Sequence, residues 1–175
     1  MYLLLESIQD VRLFLERGGD VLIPIMLLIL GMWILIIERA VYFRFGFPRL
    51  AAHLRDRWEA RGERQSWRAH QVRKALVTES SMSLFRGLDV IKTLIAICPL
   101  LGLLGTVTGM MEVFDVMAFV GNGNVRAMAE GISKATIPTM SGMVGALTGV
   151  FFIALLERRA KLQQTHLEDA LTFDH

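Results

Sequence analysis

The sequence predicts an all-α integral membrane protein that crosses the bilayer with three transmembrane helices. Apolar residues make up 53% of the chain and charged residues 21%, a balance that is unusual for a soluble protein. The charges are also segregated, because residues 21–37, 93–111 and 135–156 contain none. About 20 apolar residues in a helix cross the ~30 Å hydrocarbon core of a membrane, so each charge-free stretch predicts one span.

The distribution of lysine and arginine predicts how the chain is oriented. Residues 38–92 hold a dense basic series, whereas residues 112–134 hold only Arg126 and Lys134. Because cytoplasmic segments are enriched in these two residue types, 38–92 and 157–175 are predicted to be cytoplasmic and 112–134 is predicted to be a periplasmic connection. The N-terminus then lies outside the membrane and the C-terminus inside.

The N-terminal part of the chain predicts a surface helix followed by a lipid-facing span. Residues 1–20 are acidic rather than basic, which argues against a secretory signal. Their apolar residues recur at helical spacing and predict an amphipathic helix on the periplasmic membrane surface: Leu4, Ile8, Val11 and Leu15. Residues 21–37 contain no hydroxyl side chain, so this first span is expected to face lipid.

The predicted cytoplasmic region, residues 38–92, is composed mainly of helix formers. Turn-forming residues predict breaks between two or three helices, at 46–48, at Gly62 and at 80–83. Trp58 and Trp67 are expected to pack between these helices.

The second and third spans are expected to continue as long helical extensions into the cytoplasm. Arg86, Asp89 and Lys92 recur every three residues directly before residues 93–111, which predicts one unbroken helix. Leucines spaced through residues 157–175 likewise predict that the third span extends inward.

The second and third spans carry glycines in the same spacing, three and then four positions apart. They are Gly102, Gly105 and Gly109 in one span and Gly142, Gly145 and Gly149 in the other. Residues at this spacing share one face of a helix, and without side chains they let another backbone approach closely. Both glycine faces are therefore predicted to pack against helices.

Hydroxyl side chains lie beside both glycine faces. Thr106 follows Gly105, Thr136 and Thr139 precede Gly142, and Pro99 and Pro138 lie in the same spans. A hydroxyl at this depth either forms a hydrogen bond within or between helices or lines a polar path. Neither span contains an acidic or basic side chain, so a proton path here would need a titrating carboxylate from another polypeptide.

The sequence argues against an enzyme, a metal site, a bound cofactor and a nucleic-acid partner. It has no nucleophile elbow, phosphate-binding glycine loop or metal-binding motif. The four histidines lie outside the spans without ligand spacing, and Cys98 is the only cysteine. The basic residues are interleaved with acids such as Asp56 and Glu59 and flank the spans, which favours contact with membrane lipid over nucleic acid.

Two motifs in the second and third spans carry a family resemblance. The run Pro99-Leu-Leu-Gly102-Leu-Leu-Gly105-Thr106-Val-Thr-Gly109-Met resembles the second-helix signature of the MotA/TolQ/ExbB proton channel family. The third-helix signature of that family is similar to Gly131-Ile132 through Thr139, Gly142, Val144 and Ala146. The two motifs agree with the family in glycine phase, in threonine position and in the distance between the helices.

The resemblance implies a subunit of a homopentameric ring in a bacterial inner membrane. In the ExbB-like branch, an ExbD-like single-span partner supplies the titrating Asp, and a TonB-like protein carries the resulting work to outer-membrane transport. Thr106 and Thr139, together with Thr136 and Pro99, would line the proton path. The two glycine faces would then supply the contacts between neighbouring subunits.

Two other functions stay open at this point. The same machinery serves envelope integrity in TolQ-like members and drives flagellar stators, although stators have four spans and a larger cytoplasmic domain. A non-transducing membrane scaffold or a channel of another class would share the hydropathy and the glycine spacing.

The charged residues next to these spans depart from the family pattern. The resemblance places a glutamate five residues before Thr139, where this chain has Lys134. Glu130 precedes Lys134 by four positions, the favourable order for a helical ion pair, and Glu112 and Asp115 are predicted to lie at the same membrane level. We therefore expect Lys134 to be ion-paired and structural rather than to carry protons.

Overall fold

A computed structural model describes residues 18–60, 66–120 and 125–171, and almost all of the described chain is helical. The amphipathic helix predicted for residues 1–20 lies almost entirely outside these ranges. In chain order the elements are α1 (Leu22–Val41), a π-helical segment (Tyr42–Gly46), α2 (Phe47–Glu59), α3 (Trp67–Phe85), α4 (Leu88–Val120) and α5 (Val125–Ala170).

Within the described ranges, α1, α4 and α5 each contain a stretch that is long and apolar enough to cross a membrane. Their surfaces carry large apolar side chains that water would solvate poorly: Leu27, Leu103 and Leu147 are 63%, 58% and 71% exposed. This confirms the predicted all-α class with three helices that can span a bilayer. The orientation of the spans stays a prediction.

The helices form two compact units, and the first contains residues 18–33, 93–120 and 125–150. Its core is built from the beginning of α1 and from facing parts of α4 and α5. Fully buried side chains come from all three helices: Leu22, Ile25, Met32, Cys98 and Pro138. Pro99 and Pro138 lie inside α4 and α5 without ending either helix.

The second unit contains residues 34–60, 66–92 and 151–171, with a core that includes Phe43, Leu54, Trp58 and Leu84. Arg73 of α3 holds the end of α5, because its Nε donates to the carbonyl of Leu171 at 2.7 Å and its Nη2 donates to that of Glu168 at 3.0 Å. The last carbonyls of a helix have no partners within the helix, and a cation satisfies them well. This bond fixes the end of α5 against α3.

Two breaks predicted in residues 38–92 are absent from the described helices. Residues 46–48 carry the chain from the π-helical segment directly into α2, and residues 80–83 lie inside α3. The buried Ser80 donates its hydroxyl hydrogen to the carbonyl of Val77 at 2.7 Å, and Ser83 donates to that of Ser80 at 2.9 Å. Serines that bond to the preceding turn are compatible with a helix. Gly62 lies outside the described residues.

The unbroken helix predicted through Arg86 begins only at Leu88. Gly87 interrupts it with a φ of +80°, a conformation that residues with a side chain rarely adopt. A Cβ atom added to Gly87 would lie 3.1 Å from Nε and from Nη2 of Arg39, so this guanidinium packs against the turn. The break separates α3 from α4 shortly before residue 93.

The two tryptophans of this region have different surroundings. Trp58 is 1% exposed and packs in the core of the second unit, as expected. Trp67 is 75% exposed, so the prediction that it packs between helices was wrong. It is the first residue of α3, on the side of that helix that faces away from the core.

The predicted connection between the second and third spans is largely helical. Residues 112–120 belong to α4 and residues 125–134 belong to α5. The charged residues that we predicted near the outer membrane surface are therefore presented by two helices rather than by a loop.

Candidate functional site

The candidate site is the contact between α4 and α5, where three glycines bring the two backbones together. A Cβ atom at Gly102 would lie 2.9 Å from Cα of Thr139, and one at Gly109 would lie 2.6 Å from Cα of Ala135. From the other helix, a Cβ atom at Gly142 would lie 2.5 Å from the carbonyl oxygen of Cys98. A side chain at any of these positions would force the helices apart, because it would meet backbone atoms of the facing helix.

Gly105 accommodates a proline of the facing helix. A Cβ atom at Gly105 would lie 2.5 Å from Cβ of Pro138, whose side chain is fully buried. The ring of Pro138 fills the space that Gly105 leaves open.

The last two glycines face other helices of the same unit. A Cβ atom at Gly145 would lie 2.6 Å from Cδ1 of Ile29 in α1, and one at Gly149 would lie 2.7 Å from Cγ1 of Ile95 in α4. All six predicted glycines are therefore packed against helices of their own chain. This differs from the expectation that the glycine faces form the contacts between subunits, since a face already filled from within has no room for a neighbour.

Thr139 connects the two helices by a hydrogen bond. Its Oγ1 donates to the carbonyl oxygen of Gly102 at 2.7 Å. In a regular α-helix the same carbonyl accepts the backbone N–H of the residue four positions later, which is Thr106. Thr139 and Thr106 are thus brought to neighbouring positions around one carbonyl group.

The other two predicted pore threonines form hydrogen bonds within their own helices. Thr106 donates to the carbonyl of Leu103 at 2.6 Å, and Thr136 donates to that of Ser133 at 3.1 Å. Thr136 is exposed, whereas Thr106, Thr139 and Pro99 are half-buried. A hydroxyl that donates its one hydrogen still has oxygen lone pairs that accept hydrogen bonds from a neutral carboxyl group or from water.

Three of the four predicted charged residues meet at the end of the α4–α5 contact. Glu112, Glu130 and Lys134 line a cavity of about 160 Å³ together with Val113, Val116 and Gly131. Nζ of Lys134 lies 4.0 Å from Oε2 of Glu112. Among the described residues, Lys134 therefore pairs with Glu112 across the two helices. It does not form the expected ion pair with Glu130 along α5. Asp115 is exposed and does not line the cavity.

A charged pair that we did not predict flanks the two spans at their other end. Lys92 and Glu157 form an ion pair, and Lys92 also lies 3.7 Å from Asp89. The hydrogen bond to Glu157 raises the pKa of Lys92 above its ordinary value. The sequence held a signal for this pair, because two antiparallel spans place the residue just before 93–111 beside the residue just after 135–156.

Comparison with known proteins identifies the family. A model of the MotA/TolQ/ExbB proton channel family matches residues 48–169. The "Putative biopolymer transport protein ExbB-like 1" of Synechocystis is 39% identical over 74 residues, which cover 41% of this chain and 29% of that protein. Its namesake from Helicobacter pylori is 33% identical over 95 residues, which cover 54% of this chain and 46% of that protein.

A third relative matches a larger part of the chain. "Biopolymer transport protein ExbB" of Pseudomonas putida is 30% identical over 122 residues, which cover 70% of this chain and 36% of that protein. The chain thus spans less than half the length of each of these three relatives. The matching family is one of channels and not of enzymes. Since the family model covers more than half of the sequence, the chain belongs to the MotA/TolQ/ExbB proton channel family.

Proposed function

We propose that this protein is an ExbB-like proton channel subunit of a bacterial inner membrane. It uses the proton motive force to do mechanical work for TonB-dependent outer-membrane transport. The family membership and the printed names of the relatives, which are biopolymer transport proteins, support this choice. In this proposal the subunit has no catalytic residue, metal or cofactor, and its N-terminus lies outside and its C-terminus inside.

The observation that carries the proposal is the hydrogen bond from Thr139 to the carbonyl of Gly102, with Thr106 one turn further along α4. The Thr139 hydroxyl and the helical N–H of Thr106 thus meet at one carbonyl group, in a part of the protein whose spans contain no acidic or basic residue. Hydroxyl groups can hold water and exchange hydrogen bonds, but they do not carry a proton charge across the membrane at low energy. A carboxyl group from a partner must supply that step.

The partner in this proposal is an ExbD-like protein with one transmembrane helix and an Asp. When the Asp is neutral, its O–H donates to the oxygen of Thr106 or Thr139. When it is charged, it accepts hydrogen bonds from a rotated threonine hydroxyl or from water that the threonines hold. One proton crossing ~100 mV releases about 2.3 kcal/mol, which drives movement of the partner.

The subunit acts in this proposal as part of a homo-oligomeric ring, a pentamer as in the family, around the partner. A TonB-like protein receives the movement. Thr136 and Pro99 border the same path, and the basic residues beside the spans contact membrane lipid. Lys134 and Glu112 form a structural charge pair at the outer end, with Glu130 and Asp115 nearby.

Thr106→Val provides the cleanest test, because Thr106 donates to its own helix and its loss breaks no bond between helices. We expect proton-driven uptake of an iron chelate to fall about fivefold, the effect of one lost hydrogen bond. Uptake would be measured in cells that lack their own copy of the protein. Valine keeps nearly the same shape, so the amount of assembled complex should not change.

Thr108→Val is the matched control for this experiment. Thr108 lies in the same helix and also donates to carbonyls of its own turn, at 3.1 and 3.2 Å. Uptake at the parental rate by the Thr106→Val cells would contradict the proposed path. An equal loss in both variants would assign the effect to helix packing instead.

A further inference from the structure

The second unit contains a groove that the described residues of its own chain leave unfilled. The groove has a volume of about 700 Å³ and runs between α2 and the last part of α5. From α2 it is lined at helical spacing by Phe47, Ala51, Arg55 and Glu59, and from α5 by Leu162 and His166. We call it the α2–α5 groove.

The chemistry of this groove favours a partner that brings apolar side chains and positive charge. Its floor is apolar, while Asp56 and Glu59 on its rim outnumber Arg55, which is bonded to Glu59 at 2.6 Å. Among the described residues, Asp56 has no cation as an ion-pair partner. Gln163 donates through Nε2 to the carbonyl of Phe43 at 3.1 Å, but its buried Oε1 accepts no hydrogen bond in the described part of the chain. Within the described residues, the groove therefore has more hydrogen-bond acceptors than donors or cations to pair with them.

The shape of the groove favours a helix. Its residues on α2 extend over the 13 residues of that helix, which measure about 18 Å at 1.5 Å per residue. Two helices packed side by side leave a furrow that accepts a third helix through side chains at positions i, i+3, i+4 and i+7.

The outward side of α3 has the complementary composition. It is defined by Trp67, Arg68, Gln71, Lys74, Thr78 and Met82, all of which are exposed. The apolar members are large, with Trp67 75% and Met82 66% exposed, and the charged members are both cations. We call this surface the outer face of α3.

Contacts within the unit keep this face away from the groove of the same chain. The opposite side of α3 is bound by its own unit, because Arg73 donates to the carbonyls of Leu171 and Glu168 at the end of α5. Glu79 lies on the same side of α3 as Arg68, and its carboxylate is 3.8 Å from Arg57 of α2. Arg57 therefore faces α3, whereas Arg55 and Glu59 line the groove. The two surfaces lie on different sides of α2, so only another molecule can bring them together.

We propose that the outer face of α3 in one copy of this protein docks into the α2–α5 groove of a second copy. The proposal rests on the homo-oligomer in the proposed function and names a surface for it. Such a contact joins two different surfaces, so each copy can bind one neighbour on each side and a rotation that closes produces a ring. It supplies a contact between copies that the six glycines, packed within their own chain, do not supply.

Cysteine cross-linking in native membranes tests the contact on the full chain. In a Cys98→Ala background, Ala52→Cys in the groove is combined in turn with Gln71→Cys, Ala75→Cys or Thr78→Cys on α3. We expect a bis-maleimide to produce a ladder of dimers and larger species from at least one of the three double variants. A mixture of the matching single variants should stop at dimers, because each copy then has one reactive position.

Thr165→Cys combined with Lys74→Cys is the control, since Thr165 is exposed on α5 but does not line the groove. If no double variant exceeds this control, the proposal is wrong. It is equally wrong if the Ala52→Cys chain cross-links only to a different protein, which would assign the groove to another partner.

Charge reversal provides the second test. Asp56→Lys and Lys74→Asp should each lower the yield of the ladder about threefold, and the two changes together should restore it. Both side chains are exposed, so folding should be unaffected, and equal melting temperatures would verify this. If neither single charge reversal lowers the yield of the ladder, the proposed contact is wrong.

These results separate the contact from the proposed function, because cross-linking requires no proton flow. A ladder with normal uptake by the Thr106→Val variant would keep the contact and reject the proton path. Loss of uptake in that variant without any ladder would keep the proton path and reject the contact.

Discussion

At the residue scale, Thr139 illustrates how one hydroxyl can serve both packing and a proposed proton path. Its hydrogen is donated to the carbonyl of Gly102 at 2.7 Å, which links α4 to α5. Its oxygen keeps lone pairs that accept hydrogen bonds from a neutral carboxyl group or from water. The alternatives that the sequence left open, a bond between helices or a polar path, therefore do not exclude one another at this position.

Thr139→Val should have a structural effect as well as a functional one. Removing a hydrogen bond between membrane helices should lower the free energy of unfolding by roughly 0.6 kcal/mol, up to about 1.7. Thr139→Ser keeps the hydroxyl and should retain both stability and uptake. Stability would be measured by unfolding in denaturing detergent. A serine variant as defective as the valine variant would show that the methyl group, and not the hydroxyl, is what matters.

Lys134→Glu should lower stability while uptake is partly retained. The new carboxylate would face Glu112, the present partner of Lys134, and would share the cavity with Glu130. The side chains of Lys134 and Glu112 are 35% and 61% exposed, so water screens the repulsion and the loss should stay below about 1 kcal/mol. This loss of stability would be measured by thermal unfolding, with Lys134→Gln as the control variant. Complete loss of uptake at unchanged stability would instead assign Lys134 a direct role in proton transfer.

At the scale of the elements, the α4–α5 contact depends on backbones that approach too closely for any side chain. Cβ atoms at Gly102, Gly109 and Gly142 would meet backbone atoms of the facing helix at 2.5 to 2.9 Å. A flexible side chain could move aside, but a helix backbone cannot move without shifting its whole length. Substitutions at these glycines should therefore destabilise a single subunit, whether or not it is part of an oligomer.

Gly109→Leu should destabilise the subunit by about 1–3 kcal/mol, the usual effect of overpacking. Gly31→Leu is the control, because in the described part of the chain no side chain and no other helix lies within 4 Å of a Cβ atom at Gly31. Its effect should stay within about 0.5 kcal/mol. Unfolding of the purified subunit in detergent distinguishes the two. If Gly109→Leu left the subunit stable and only dissociated the oligomer, the glycines would act between subunits after all.

At the scale of the whole molecule, the two basic regions of the sequence belong to one compact unit. The described parts of 38–92 and 157–175 lie in the second unit, whereas the described part of 112–134 belongs to the first. Segments that pack together must lie on the same side of a membrane. This grouping supports the proposed topology, in which both basic regions are cytoplasmic.

Labelling of single cysteines tests this topology directly. In a Cys98→Ala background, Asp115→Cys should react with a membrane-impermeant maleimide in cells whose outer membrane alone has been opened. Arg68→Cys should react only after the inner membrane is broken. Both side chains are exposed, so a failure to react reports on location rather than on burial. The reverse pattern would place residues 38–92 outside.

Several features of the site could be predicted because they depend on local periodicity. The spacing of Gly102, Gly105 and Gly109 places them on one helix face whatever the helix meets, so close packing followed from the sequence. Which helix packs against each glycine face could not be predicted from the sequence. Gly145 meets Ile29, from a helix more than a hundred positions earlier, and the relative rotation of the two helices decides such a contact.

By itself, the sequence determined the class of protein, three helices that can span a membrane, and the family motifs in the last two. Charge-free stretches of this length form spanning helices because a helix satisfies its own backbone hydrogen bonds. Only the tertiary structure decided that Lys134 pairs with Glu112 across two helices, that Trp67 faces outward, and that the glycine faces are filled by their own chain. These contacts join residues that are distant in sequence, and they are set by how whole helices pack rather than by any local pattern.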